Sequence, residues 1–160
     1  MAYFGAVAVI LAAYMTWRVY SESLFGELDL CKRLLAAITD YRDKVKCYMD
    51  TPQRWAAEYS DDELRRCGFL SHLAGGGDFK SAYSRLKTDM TVSDEVDSVL
   101  TECFERSGEG YLDTEIEILN LAIGKLEVEE RRLSEAFSGK KKAVGAMLGA
   151  IASGIVILAI

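Results

Sequence analysis

Residues 24–49, LFGELDLCKRLLAAITDYRDKVKCYM, contain the pattern that decides the fold. Apolar side chains recur at alternating intervals of four and three residues, interrupted only at Arg42, which is the spacing of one face of an α-helix. The stripe consists of Leu24, Leu28, Cys31, Leu35, Ile38, Val45 and Met49, and it is widened by Leu34, Tyr41 and Tyr48. Because this stripe is wider than a two-stranded coiled coil needs, the segment is predicted to be a bundle helix.

The same spacing returns in residues 112–137, LDTEIEILNLAIGKLEVEERRLSEAF, interrupted only at Glu130. The apolar members are Leu112, Ile116, Leu119, Ile123, Leu126, Leu133 and Phe137. Asp113 in the first turn and Lys140–Lys142 in the last favour the helix dipole. At about 1.5 Å per residue, each striped helix is about 40 Å long. We therefore predict an all-α antiparallel helical bundle in which these two helices pair.

Residues 51–111 are predicted to form four shorter helices, over about 52–60, 62–73, 78–88 and 93–106. Thr51 can cap the first of them with Pro52 in the opening position, and Thr91 or Ser93 can cap the last. Loops are predicted at Gly75–Gly77 and at residues 107–110 from their composition.

Both ends of the sequence are apolar. Residues 3–17, YFGAVAVILAAYMTW, and 143–160, AVGAMLGAIASGIVILAI, contain no charged residue. A membrane-spanning helix needs about 17–20 apolar residues, so we predict one over residues 1–20 and one over 143–160, each continuous with a bundle helix, and a helical domain over 21–139. A buried core helix is the alternative for each end, but the remaining chain is too short to cover both.

Basic residues give the predicted direction of insertion. Arg18, Lys32 and Arg33 follow the first apolar run, and Lys140–Lys142 precede the second. Because Lys and Arg are concentrated on the cytoplasmic side of a membrane, the central domain is predicted to be cytoplasmic and both termini outside. The first run lacks the basic leader and the cleavage site of a signal peptide.

Small residues in the second apolar run recur every four positions, at Gly145, Gly149 and Ser153. Such a ridge allows another helix to approach closely within the bilayer, so these three residues are predicted to mediate helix packing in the membrane. The packing helix could belong to another chain, or it could be the first apolar run of the same chain through Gly5, Ala8 and Ala12.

Composition excludes some functions. The chain has 160 residues, a net charge of -6 and an isoelectric point near 4.9. Nucleic-acid binding relies on a basic face, so no nucleic-acid partner is expected. Cys31, Cys47, Cys67 and Cys103 form no C-x-x-C pair, and we interpret them as reduced thiols in an apolar core, as in a cytoplasmic protein.

The sequence offers weak candidates for catalysis. His72 is the only histidine, and a zinc site formed with Cys67 would need two more ligands from scattered cysteines. Gly75–Gly77 is followed by no Lys-Ser or Lys-Thr of a phosphate-binding loop. Asp61, Asp62 and Glu63 suit the first turn of a helix. We therefore predict no catalytic, cofactor-binding or metal-binding residues, no cofactor, no small-molecule substrate and no enzymatic activity.

The layout resembles the stage III sporulation protein AB family of endospore-forming bacteria. The residues that carry the resemblance are Thr51-Pro52 between helices, Phe104-Glu105-Arg106-Ser107-Gly108 before the returning helix, and Lys140-Lys141-Lys142-Ala143-Val144-Gly145, followed by Gly149, at the final span. The resemblance extends over nearly the whole chain. Glu117 and neighbouring acidic residues depart from it, as does the Ala-rich N-terminal run.

This resemblance implies a non-enzymatic, membrane-anchored platform or assembly component of the secretion-like channel complex between mother cell and forespore. The implied partners are sister membrane subunits, a secretion-type ATPase and the lipid bilayer, and the implied location is the mother-cell membrane facing the forespore. The alternatives are a membrane-tethered coiled-coil scaffold, a platform protein of the type II secretion or type IV pilus kind outside sporulation, and a metal- or nucleotide-dependent membrane enzyme.

Overall fold

The computed structural model describes the backbone of residues 2–107 and 111–159. The side chains of residues 2–13, 16, 17, 19–21, 23, 24, 141, 144, 145 and 147–159 lie outside that description. Within the described ranges the chain forms helices and no strand, which confirms the predicted all-α class. In chain order the helices are α1 (Ala2–Tyr48), α2 (Pro52–Glu58), α3 (Asp62–Arg66), α4 (Phe69–Ala74), α5 (Phe79–Asp89), α6 (Asp94–Arg106) and α7 (Leu112–Ala159).

The chain divides into two compact units. The central unit is Gly26–Glu130, and the outer unit consists of residues 1–25 and 131–160. The two long helices contribute to both units, whereas α2 to α6 belong to the central unit.

Within the central unit, α1 and α7 run antiparallel. Lys32 Nζ lies 3.5 Å from Glu130 Oε1, and Arg42 Nη1 donates a hydrogen bond of 3.2 Å to Asn120 Oδ1. From the first of these contacts to the second, the residue number rises along α1 and falls along α7. The predicted antiparallel pairing is therefore observed. The apolar stripes of both helices are buried over the middle of the unit, at Leu28, Cys31, Leu34, Ile38, Tyr41 and Val45 on α1 and at Leu119, Ile123 and Leu126 on α7.

The short helices begin at polar caps. Thr51 Oγ1 accepts from Arg54 N at 3.4 Å with Pro52 opening α2, as predicted, and Ser93 rather than Thr91 caps α6. The predicted helix over 62–73 is instead two helices. Gly68 has a φ of 82°, a left-handed conformation that glycine adopts at no steric cost, and it separates α3 from α4.

Phe79 is the centre of an aromatic core in the central unit. Its ring centroid lies 5.1 Å from Tyr41 of α1 and 5.1 Å from Phe104 of α6, and it also neighbours Trp55 of α2 and Phe69 of α4. Tilted and stacked ring pairs at these distances add stability beyond the burial of their area. One residue of α5 therefore holds together parts of four other helices.

The described part of the chain contains no helix that is long and apolar enough to cross a membrane. The side chains of Gly145, Gly149 and Ser153 lie outside the described residues, as do those of Gly5, Ala8 and Ala12. The predicted helix-packing ridge therefore stays a prediction.

Candidate interaction surface

Two large apolar side chains are exposed at the C-terminal end of α1, on its last residue and on the residue that follows. Tyr48 is 72% and Met49 is 75% exposed, although the periodic stripe predicted that both would be buried. That expectation was wrong because Val45 is the last buried residue of α1 and the chain turns away at Met49 toward α2. The exposed thiol of Cys47 lies beside them in sequence.

Met49 also has a costly backbone conformation. Its φ is 54°, and no other residue apart from glycine has a positive φ in the described ranges. Its amide donates to Val45 O at 3.0 Å, so it occupies the left-handed position that ends a helix and usually belongs to glycine. The left-handed conformation costs an L-residue about 1–2 kcal/mol. An apolar side chain is thus held in water at a position where glycine would be more stable.

Two apolar residues at the start of α7 lie at the same end of the central unit. The contact between Arg42 and Asn120 sets the register: α1 ends six residues after Arg42, and α7 begins eight residues before Asn120. Tyr111 is 90% exposed and Leu112 is partly exposed. We call Tyr48, Met49, Tyr111 and Leu112 the tip.

The charges beside the tip are mostly paired. Lys44 Nζ lies 5.8 Å from the ring centroid of Tyr48 and 3.4 Å from Glu58 Oε2, and Arg54 Nε lies 3.3 Å from Glu58 Oε1. The hydrogen bonds from Arg54 and Lys44 hold the pKa of Glu58 below its ordinary value. Exposed aromatic and methionine side chains with paired charges around them are typical of protein–protein interfaces.

The central unit exposes two further large apolar side chains, on α7. Leu121 is 50% and Val128 is 70% exposed, and they lie two helical turns apart on one face. Both have ordinary helical backbone conformations. Scattered exposed apolar residues of this kind are common on protein surfaces, so this pair is a suitable comparison for the tip.

Two of the residues that the sequence suggested for chemistry have clear surroundings in the structure. Asp61 caps α3 by accepting from Leu64 N at 2.9 Å, and its other oxygen accepts from Arg33 Nη1 at 3.0 Å. The His72 ring packs over Gly77, where an added Cβ would lie 2.2 Å from His72 Nε2. The described residues contain no group of three His, Cys, Asp or Glu side chains that could hold a metal ion.

The four cysteines are free thiols, and three of them are buried. Burial raises the pKa of Cys31 to about 11 and that of Cys103 to about 12, and it raises the pKa of Cys67 as well. Because the thiolate is the reactive form, these three thiols are protected both by burial and by protonation. Cys47, next to the tip, is exposed.

The tip was missed in the sequence because Tyr48 and Met49 fit the helical period. A signal was present in Asp50-Thr51-Pro52, which directly follows them. Because the helix ends just before this turn, no further helical turn follows to pack against its last apolar side chains.

Comparison with known proteins supports the fold. No protein-family model matches this sequence, and no curated protein matches it. A solved structure described as stage III sporulation protein AB superimposes with a TM-score of 0.58 at 17% identity, covering 71% of this chain and 98% of that chain. The resemblance found in the sequence is therefore confirmed at the level of the fold: the chain is similar in structure to stage III sporulation protein AB.

Proposed function

We propose that this protein is a non-enzymatic, membrane-anchored platform or assembly component of a secretion-like sporulation channel complex between mother cell and forespore. The structural likeness to stage III sporulation protein AB supports this role. The single observation that carries the partner-binding part of the proposal is Met49, an apolar side chain exposed to water on a strained backbone. Strain that persists at an exposed apolar site points to a function that needs it.

The partners are sister membrane subunits of the complex and a secretion-type ATPase, and the tip is the surface that contacts one of them. Aromatic and methionine side chains supply large contact area in such surfaces. The protein would hold these partners in place without chemistry of its own, and it would need no cofactor or small-molecule substrate.

The membrane part of the proposal rests on the sequence. Residues 3–17 and 143–160 are uncharged, and Arg18 and Lys140–Lys142 flank them on the side of the central domain. Both termini then lie outside and the central unit lies in the cytoplasm. Reporter fusions to each terminus and to the Gly75–Gly77 loop test this topology, and a terminus found on the same side as the loop would contradict it.

The partner proposal is tested by affinity purification of the full chain from membranes of sporulating cells. Changing Met49→Ser together with Tyr111→Ser should reduce recovery of the secretion ATPase or of a membrane subunit at least tenfold, because both contact residues are lost. The matched control is Leu121→Ser with Val128→Ser, which removes two apolar side chains, 50% and 70% exposed, outside the tip. Equal recovery with both double variants would refute the role of the tip.

The alternatives make different predictions. A coiled-coil scaffold would use the stripes of α1 and α7 between chains, whereas the two helices bury their stripes against each other within the central unit. A platform protein outside sporulation would use the same tip with other partners. Identification of the captured ATPase and subunits by mass spectrometry distinguishes a sporulation complex from a secretion or pilus complex.

A further inference from the structure

Charge is divided unequally between the two units. The central unit contains 13 Lys and Arg against 23 Asp and Glu, whereas residues 1–25 and 131–160 contain 6 against 2. The chain as a whole is acidic, yet its outer unit is basic. Four of these six cations, Arg18 and Lys140–Lys142, lie next to the uncharged runs 3–17 and 143–160.

Three of the outer unit's cations lie on the same side of one ring pair and at similar distances from it. Phe25 of α1 and Phe137 of α7 have ring centroids 6.0 Å apart. At about 1.5 Å per residue, Arg18 lies about 10 Å from Phe25 along α1, and Lys142 lies about 8 Å from Phe137 along α7. Lys140 is in the same turn as Lys142. The side chains of these three basic residues are exposed. Arg18 Nε also forms a surface ion pair of 2.9 Å with Glu22 Oε1 on the same helix, and a guanidinium has further N–H donors that can bind a phosphate.

We propose that Arg18, Lys140 and Lys142, the cationic collar, bind the phosphate groups of anionic phospholipid headgroups. The proposal rests on the proposed function in one respect, since it requires the apolar runs to enter a bilayer. Basic clusters on the cytoplasmic side of a spanning helix attract anionic lipids by about 1 kcal/mol per Lys or Arg near the surface. The exposed Tyr14, about one helical turn from Arg18 on the same helix, suits the boundary between lipid and water.

The test uses the full chain purified in neutral detergent micelles and a fluorescent phosphatidylglycerol as the probe. Unlabelled phosphatidylglycerol should compete at much lower concentration than phosphatidylcholine or inorganic phosphate. Lys140→Gln with Lys142→Gln should weaken binding about 25-fold, which is about fivefold for each cation removed. Lys140→Arg with Lys142→Arg should retain binding, because the charge is kept.

The matched control is Lys46→Gln with Arg85→Gln, which removes the same charge from exposed positions of the central unit and should leave binding unchanged. Equal competition by phosphatidylcholine, or full binding by the Lys140 and Lys142 glutamine variant, would overturn the collar. Equal competition by inorganic phosphate would show a general phosphate site and would overturn the assignment to lipid. Alkaline extraction of native membranes tests anchoring separately, because extraction of the chain would refute the membrane part of the proposed function.

Discussion

The indole Nε1 of Trp55 donates a hydrogen bond of 2.8 Å to Oδ2 of Asp40. Trp55 is 2% exposed, so its N–H has no access to bulk water, and Asp40 lies on α1 one residue before Tyr41, whose ring is 5.1 Å from the indole. This bond links α1 to α2 at the edge of the aromatic core. It satisfies a polar group that would otherwise be buried without a partner.

Removing the acceptor should therefore destabilise the protein. Asp40→Leu should lower the free energy of unfolding by about 1–3 kcal/mol, because the indole N–H loses its partner. Asp40→Asn keeps an acceptor oxygen and should have a smaller effect. Urea denaturation followed by circular dichroism measures both, and equal losses for the two variants would show that the hydrogen bond does not contribute.

Gly77 is required by the position of the His72 ring. Gly77→Ala should lower stability, because the new Cβ would lie 2.2 Å from His72 Nε2 and the ring would have to move. The loss should be at least about 1 kcal/mol with His72 present and should nearly disappear in the His72→Ala background. Gly124→Ala is the control, since a Cβ there meets nothing within 4 Å, and it should be neutral or stabilising.

Met49→Gly should raise the free energy of unfolding by about 1 kcal/mol, because glycine adopts the left-handed conformation without a steric penalty. Gly76→Ala is the reciprocal change: φ is 90° and a Cβ would meet no atom, so the expected loss arises from backbone conformation alone. Thermal or urea unfolding measures both. If the proposed function is right, the Met49→Gly protein is more stable but captures less partner protein in affinity purification. An increase in both stability and partner recovery would count against the tip.

The buried thiol of Cys103 should make stability fall at alkaline pH. Its folded pKa of about 12 lies above its ordinary value of 9.0, so its contribution is complete below pH 9 and is lost as pH rises toward 12. In Cys103→Ala, the decline of unfolding free energy above pH 9 should be shallower by up to about 1.4 kcal/mol per pH unit. An unchanged slope in Cys103→Ala would contradict this contribution of the buried thiol.

Much of the fold follows from local rules. The stripes of α1 and α7, the Thr51-Pro52 start of α2 and the Ser93 cap of α6 depend on side chains close in sequence, and each is visible as a spacing. The division of α3 from α4 at Gly68 was not visible, because a glycine inside an apolar pattern is compatible with a continuous helix.

The candidate surface could not be predicted in the same way. Periodicity assigns a residue to a face of a helix, but it does not say whether a neighbouring helix extends far enough to cover that face. Tyr48 and Met49 continue the stripe of α1 beyond the last turn that is covered. The role of Phe79 likewise depends on four other helices, so it has no signature in the sequence around it.

The chain enters the central unit near Lys32 and leaves it at Glu130, and these two residues form an ion pair in which Nζ and Oε1 are 3.5 Å apart. The two ends of the central unit are therefore close together. A folded segment whose two ends lie close together can be inserted into another chain, or be circularly permuted, without a change to its core. A few flexible residues can close it into a ring, and the ring can be reopened in the α4–α5 loop at Gly75-Gly76. Circularly permuted versions are therefore compatible with this topology. The same core could also be joined to other pairs of flanking helices during evolution without substitutions in its interior.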